Sequence, residues 1–178
     1  CGGNDLTTLD VSENKDLEEL VCSDNDLTVL NLSNNTALKV LNCHDNKLTS
    51  LDLSKNTALE YLECFYNNLT SLDLSGTNVT GLSAAYNSYD ITLTGGAFNL
   101  DKLSKFGFKA SKATDWTGGT VEGNTLTVNS DTVTYKYDCG NDKDFVTFTL
   151  LPGIAIDTTN FPDKTFRDYV SDEFDDNS

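Results

Sequence analysis

Leucine, cysteine and asparagine recur along the first half of the chain at one interval. Cys1, Cys22, Cys43 and Cys64 stand 21 residues apart, and the same interval links Asn4, Asn25, Asn46 and Asn67, then Leu6, Leu27, Leu48 and Leu69, then Leu9, Leu30, Leu51 and Leu72. One unit reads Leu38-x-x-Leu41-x-Cys43-x-x-Asn46-x-Leu48-x-x-Leu51-x-Leu53. A fixed period of this length marks a repeat architecture. Within the unit, Leu41 and Cys43 alternate with polar neighbours, which is the period of a short strand buried on one face. The wider spacing of Leu48, Leu51 and Leu53 predicts a return segment on the opposite side. One such coil cannot hide its own leucines, so neighbouring coils stack in register and their equivalent apolar residues form columns.

Polar columns run through the same stack. The Asn of each unit falls where the chain turns out of the strand, and a buried turn needs a short amide side chain to satisfy its backbone groups. These Asn are therefore expected to be structural. Asp10, Asp52 and Asp73, with Asn31 in the series, form a column on the return segment that is expected to be an exposed acidic ladder, with cation binding as the alternative. The period slips in the fifth unit: Val79, Leu82, Ala84 and Asn87 follow Leu59, Leu62, Cys64 and Asn67 by 20 residues, and Tyr89 replaces the next leucine. The array is expected to end there. Cys1 already occupies the sixth position of a unit, so the chain is expected to be an N-terminally truncated part of a longer array.

The string Leu-x-x-Leu-x-Cys-x-x-Asn-x-Leu resembles the leucine-rich-repeat consensus. The unit ending Leu51-Asp52-Leu53-Ser54-x-Asn56-Thr57-Ala58 resembles internalin-like bacterial surface proteins. The resemblance covers residues 1–94. It implies a right-handed superhelical solenoid with a parallel β-sheet on the concave face and irregular or 3₁₀ segments on the convex face. It also implies an extracellular, cell-surface or secreted setting and a role in adhesion.

Beyond residue 94 the pattern changes to Gly, Thr, Lys and aromatics. Thr125–Asn129 and Thr132–Asp138 alternate apolar with polar residues, as do Val146, Phe148 and Leu150, and Cys139-Gly140-Asn141-Asp142 supplies turn chemistry for a hairpin. Residues 95–153 are therefore expected to form a small β-rich module that uses Phe98, Phe106, Phe108 and Trp116 to cover the last coil. A core-packed Trp116 is favoured over a carbohydrate-binding one. The segment from Asp115 to Gly140 is similar to one that trails such repeats in gut-bacterial surface proteins. In residues 154–178, Phe161-Pro162 precedes Phe166, Tyr169, Val170 and Phe174 at helical spacing. This predicts a short amphipathic helix, similar to the cap that opens a following repeat block.

Charge narrows the partners. The chain carries 28 acidic and 12 basic residues for a net charge of −16, which argues against nucleic acid and anionic lipid surfaces. No apolar run approaches the roughly 20 residues that cross a bilayer, so no direct membrane insertion is expected, and any export signal or anchor would lie outside this stretch. Parallel stacked coils hold equivalent Cβ atoms farther apart than a relaxed disulfide prefers, so the column cysteines are expected to be free thiols, acting as small hydrophobes. A line of sulfurs does not make a tetrahedral metal site. Cys139 stands alone in a turn. His44 has no nucleophile fixed beside it, so no catalytic residue, metal or cofactor is expected, and the chain reads as a non-enzyme.

The functional signal is positional. Side chains flanking the buried Leu and Cys point out of the sheet together, and in units three to five these positions hold Asn42, His44, Tyr61, Glu63, Phe65, Tyr66 and Tyr86. Clustered exposed aromatics with hydrogen-bonding neighbours are the usual makings of an interface hot spot. The expected function is a non-catalytic binding module, a monomer that engages a protein or glycan partner through the concave face. The alternatives are a structural spacer, with the patch covered by the chain's own second module or by another copy, and a carbohydrate-binding accessory domain.

Overall fold

The computed structural model of the chain describes residues 1–140 and 145–154. The expected helix within residues 154–178, and the turn residues Asn141 and Asp142, lie outside them. The repeat folds as the leucine-rich-repeat pattern requires: four strands of three residues each, β1 (Glu19–Val21), β2 (Val40–Asn42), β3 (Tyr61–Glu63) and β4 (Gly81–Ser83), pair in parallel in chain order. Leu20, Leu41, Leu62 and Leu82 stand side by side in the register. Cys22, Cys43 and Cys64 follow as a second buried column, and Ala84 takes the same place in the fifth coil. Leu27, Leu48 and Leu69 then Leu32, Leu53 and Leu74 fill the return side, each almost wholly buried. Removing a leucine side chain from water is worth about 1.5–3 kcal/mol, so these columns supply the driving force that three-residue strands alone lack.

Two ladders of asparagine satisfy the turns. Asn46 donates to the carbonyls of Cys22, Cys43 and His44 at 3.0–3.3 Å, while its Oδ1 accepts from Leu27 N at 2.9 Å. Asn25, Asn67 and Asn87 repeat the pattern. A second ladder, Asn35 and Asn56, is fully buried on the return side and bonds the carbonyls of Val11 and Asn14, and of Leu32 and Asn35, respectively. The column of Asp10, Asn31, Asp52 and Asp73 closes turns: each Oδ1 accepts from the backbone N–H of the serine two residues on, at 2.9–3.1 Å. That bonding to Ser12, Ser54 and Ser75 holds the three carboxyls below their ordinary range. The return segments are turns; among the described residues, 3₁₀ helix occurs only later, at Leu100–Phe106 and Ala110–Lys112.

The chain leaves the repeat at Asn87. Strand β5 (Asn87–Leu93) joins a mixed sheet in the order β5-β11-β10-β7, with β7 at Ala113–Thr117, β10 at Val133–Asp138 and β11 at Phe145–Ile154. A three-stranded antiparallel sheet of β6 (Ala97–Asn99), β9 (Thr125–Val128) and β8 (Gly119–Glu122) stands beside it. Strands β10 and β11 pair antiparallel, and Val133, Tyr135, Tyr137, Val146, Phe148 and Leu150 are buried.

Contacts tie this region to the fourth coil. The hydroxyl of Tyr135 donates to Thr70 O at 2.6 Å, Ser71 Oγ donates to Phe106 O at 3.1 Å, and Leu74 N donates to Cys139 O at 2.7 Å. Cys139 is buried, not displayed in an open turn, and adds to the burial that raises the pKa of the Cys64 thiol. Trp116 stacks on Tyr135 at 4.5 Å between ring centroids, a packing role.

Candidate binding face

The outer side of the parallel sheet is built by the residues between the buried Leu and Cys positions. Register aligns them into rows: Glu19, Val40, Tyr61 and Gly81 in one, Val21, Asn42, Glu63 and Ser83 in the next. Interstrand hydrogen bonds run on past the strands into the turn, where Asp24 N donates to His44 O, Asp45 N to Phe65 O and Tyr66 N to Ala85 O, at 3.1–3.2 Å. Two further rows are thereby held in order: Ser23, His44, Phe65 and Ala85, then Asp24, Asp45, Tyr66 and Tyr86.

All seven residues singled out from the sequence fall on these four rows. Tyr61 is 54% exposed, Tyr66 49% and Tyr86 69%. His44 and Phe65 are half-buried and stack at 4.3 Å with planes 13° apart. Tyr66 and Tyr86 stack at 4.8 Å and 15°, and Phe65 meets Tyr66 edge-on at 5.6 Å, so the four rings form one connected set across coils. Asn42 Nδ2 donates to Glu63 Oε2 at 2.7 Å. The ring of Tyr61 lies over Gly81: a methyl group there would stand 2.5 Å from Cδ1 of the tyrosine.

Sequence reasoning missed two parts of this surface. The first is backbone strain. Asp24, Asp45, Tyr66 and Tyr86 all adopt left-handed φ of +50 to +56°, and Gly3 has +69°. Glycine and aspartate tolerate that conformation, whereas for tyrosine it is costly, and residues held so tend to collect at functional sites. The signal was available as the row Gly3, Asp24, Asp45, followed by two tyrosines. The second is Phe145, 58% exposed at the start of β11, which together with Tyr86, Ala85, Thr147 and Thr149 lines a cleft of about 530 Å³ between the last coil and β11. Its place beside Tyr86 depends on the pairing of distant strands.

A groove of about 440 Å³ runs along the strand rows, between Glu19, Val21, Asn42, Tyr61, Glu63 and Ser83. On the two turn rows, the ligand atoms of Asp24, His44 and Asp45 lie within 4.8 Å of one another, with His44 Nδ1 2.8 Å from Asp45 Oδ2. All five cysteines are free, and burial pushes the thiols of Cys22 and Cys139 up to about 11 and that of Cys64 to about 12, which leaves them protonated and unreactive near neutrality. Among the described residues no helix is long and apolar enough to cross a membrane.

A stack of short parallel strands with a Leu column, a Cys column and an Asn ladder defines a leucine-rich-repeat protein. Comparison with solved structures gives a nearer relation: the chain is similar to the functional domain of InlJ from Listeria monocytogenes, a structure described as including a cysteine ladder, with 26% identity and a TM-score of 0.57. The chain is thus an internalin-like leucine-rich-repeat protein with cysteine in its repeats. The match covers 83% of this chain and spans 36% of the Listeria structure. No family model and no curated protein matches the chain.

Proposed function

We propose that the chain is a non-catalytic binding module of a bacterial surface or secreted protein. It engages a protein or glycan partner through the outer, concave side of its parallel sheet around coils three to five. The observation that carries this reading is the connected ring set of half-buried Phe65 and exposed Tyr66 and Tyr86, flanked by exposed Tyr61 and by Asn42 and Glu63. Large rings beside hydrogen-bonding groups supply most of the energy in protein recognition, and rings held rigidly lose little entropy on binding. The likeness to a functional domain of a Listeria internalin points the same way. The module acts as a monomer, with its partner on another cell or in the surrounding medium.

The test is a binding screen against arrays of extracellular proteins and of glycans, run with the unchanged chain and with a Tyr61→Ala, Phe65→Ala, Tyr66→Ala variant of verified fold. A binder lost in the variant is the expected result. Binding that survives the triple change moves the site elsewhere, and absence of any binder favours a structural spacer.

A further inference from the structure

Along the stack the outer face changes character. Toward the first coils its rows hold Glu19, Asp24 and Asp45, toward the last they hold the exposed tyrosines, and Glu63 stands between. Apart from His44, every charged side chain on the four rows is a carboxylate. The lysines bordering them are already engaged: Lys39 Nζ lies 2.8 Å from Glu18, and Lys47 Nζ 2.9 Å from Asp26. Among the described residues no cationic side chain pairs with Glu19, Asp24 or Glu63, and the bond that Glu63 accepts comes from the neutral amide of Asn42.

The geometry points to a partner that brings the missing charge: a basic polypeptide segment, with lysine or arginine side chains set between these carboxylates and the tyrosine rings. This inference rests on the binding-face reading above and narrows it to one class of ligand. Three features favour that class. Carboxylates in a groove with apolar walls focus the field of a chain whose net charge is −16, so cations concentrate there and anions are turned away. Exposed ring faces attract ammonium and guanidinium groups within about 6 Å, so Tyr61, which lines the same groove as Glu63, offers such a site, with exposed Tyr66 farther along the face. The surface is also extended: four strands at roughly 4.8 Å spacing make a track of about 15 Å, the reach of four or five residues of stretched chain. A neutral sugar would donate hydroxyl hydrogen bonds to the carboxylates but bring no charge to offset theirs, and a sialylated or sulfated one would be repelled by them.

The experiment is a two-dimensional amide NMR titration of the whole chain, with EDTA present so that Asp24, His44 and Asp45 hold no divalent ion. The probes are three twelve-residue peptides of alternating Lys and Ser, Glu and Ser, and Gln and Ser. The Lys peptide is expected to shift amides of Glu19, Asp24, Asp45, Tyr61, Glu63 and Tyr66, to bind at least fivefold more weakly to Glu19→Gln, Glu63→Gln, and to weaken further as salt rises. The other two peptides should leave those amides in place. Shifts dispersed over other acidic surfaces, or equal response to the Gln peptide, would overturn the inference. It also falls if the partner from the array screen needs Tyr61 and Tyr66 yet binds the Glu19→Gln, Glu63→Gln variant at full strength, an outcome that leaves the binding face standing and discards only its basic ligand. Loss of array binding in the glutamine variant, by contrast, supports both.

Discussion

Tyr66 and Tyr86 lie ring over ring, 4.8 Å apart, and both sit on backbone in the left-handed region where the preceding coils place Asp24 and Asp45. A bulky residue there costs of order 1–3 kcal/mol, against about 0.5–1.5 kcal/mol returned by one aromatic pair. The two tyrosines therefore do little for the stability of the coils that carry them, as the contact role proposed for them requires.

Tyr66→Asn supplies a residue suited to that backbone. The urea midpoint of the variant is expected to equal or exceed that of the unchanged chain, while partner binding drops at least tenfold. A loss of more than about 1 kcal/mol in chemical denaturation would instead make the ring a structural element.

Gly81→Ala leaves the buried columns alone and pushes a methyl group into the Tyr61 ring, 2.5 Å from Cδ1. The ring, being the free end of its side chain, swings away. Far-UV circular dichroism and thermal midpoint are expected to hold, whereas affinity falls about as far as it does for Tyr61→Ala. Unaltered affinity would place Tyr61 outside the contact.

Asn67→Ala strips the partner from Leu48 N, bonded at 2.9 Å, and from the carbonyls of Cys43 and Cys64 in the middle of the stack. Buried backbone groups left unpaired cost roughly 1–3 kcal/mol each, so a loss of about 2–4 kcal/mol is expected by urea denaturation. Asn4→Ala, whose bonds to Cys1 and Gly2 are exposed, should cost less than about 0.5 kcal/mol.

The thiols provide a test of the stack in solution. One cysteine of five, exposed Cys1, is expected to react with Ellman's reagent at pH 8 in the folded chain, and all five in denaturant. Burial raises Cys22 and Cys139 from 9.0 to about 11 and Cys64 to about 12. The unfolded chain releases these protons from about pH 9 while the folded one retains them, so stability is full below that point and falls as pH rises toward 11 to 12. A stability curve flat across this window would contradict the buried column.

Part of this protein can be read straight from its residues. The 21-residue period dictates stacked coils, because leucines at a constant interval are hidden only when each coil covers the next, and the positions between Leu41 and Cys43 must then face outward together. That logic sufficed to name Tyr61, Glu63, Phe65, Tyr66 and Tyr86 as neighbours. For Asp10, Asp52 and Asp73 the residues suggested only an exposed acidic ladder or a cation site, and the turn-closing role went unread, since only the folded chain shows the serine N–H each one binds. Cys139 read as a turn residue because no local pattern reports that a strand 65 or more residues downstream closes on Thr70 and Leu74. Likewise, the pairing of β11 with β5 brings Phe145 beside Tyr86 across an interval that carries no period. Repetition writes contacts between equivalent residues into the chain itself. Contacts between unlike segments are decided by which apolar surfaces fit when the chain collapses, and those belong to the tertiary structure alone.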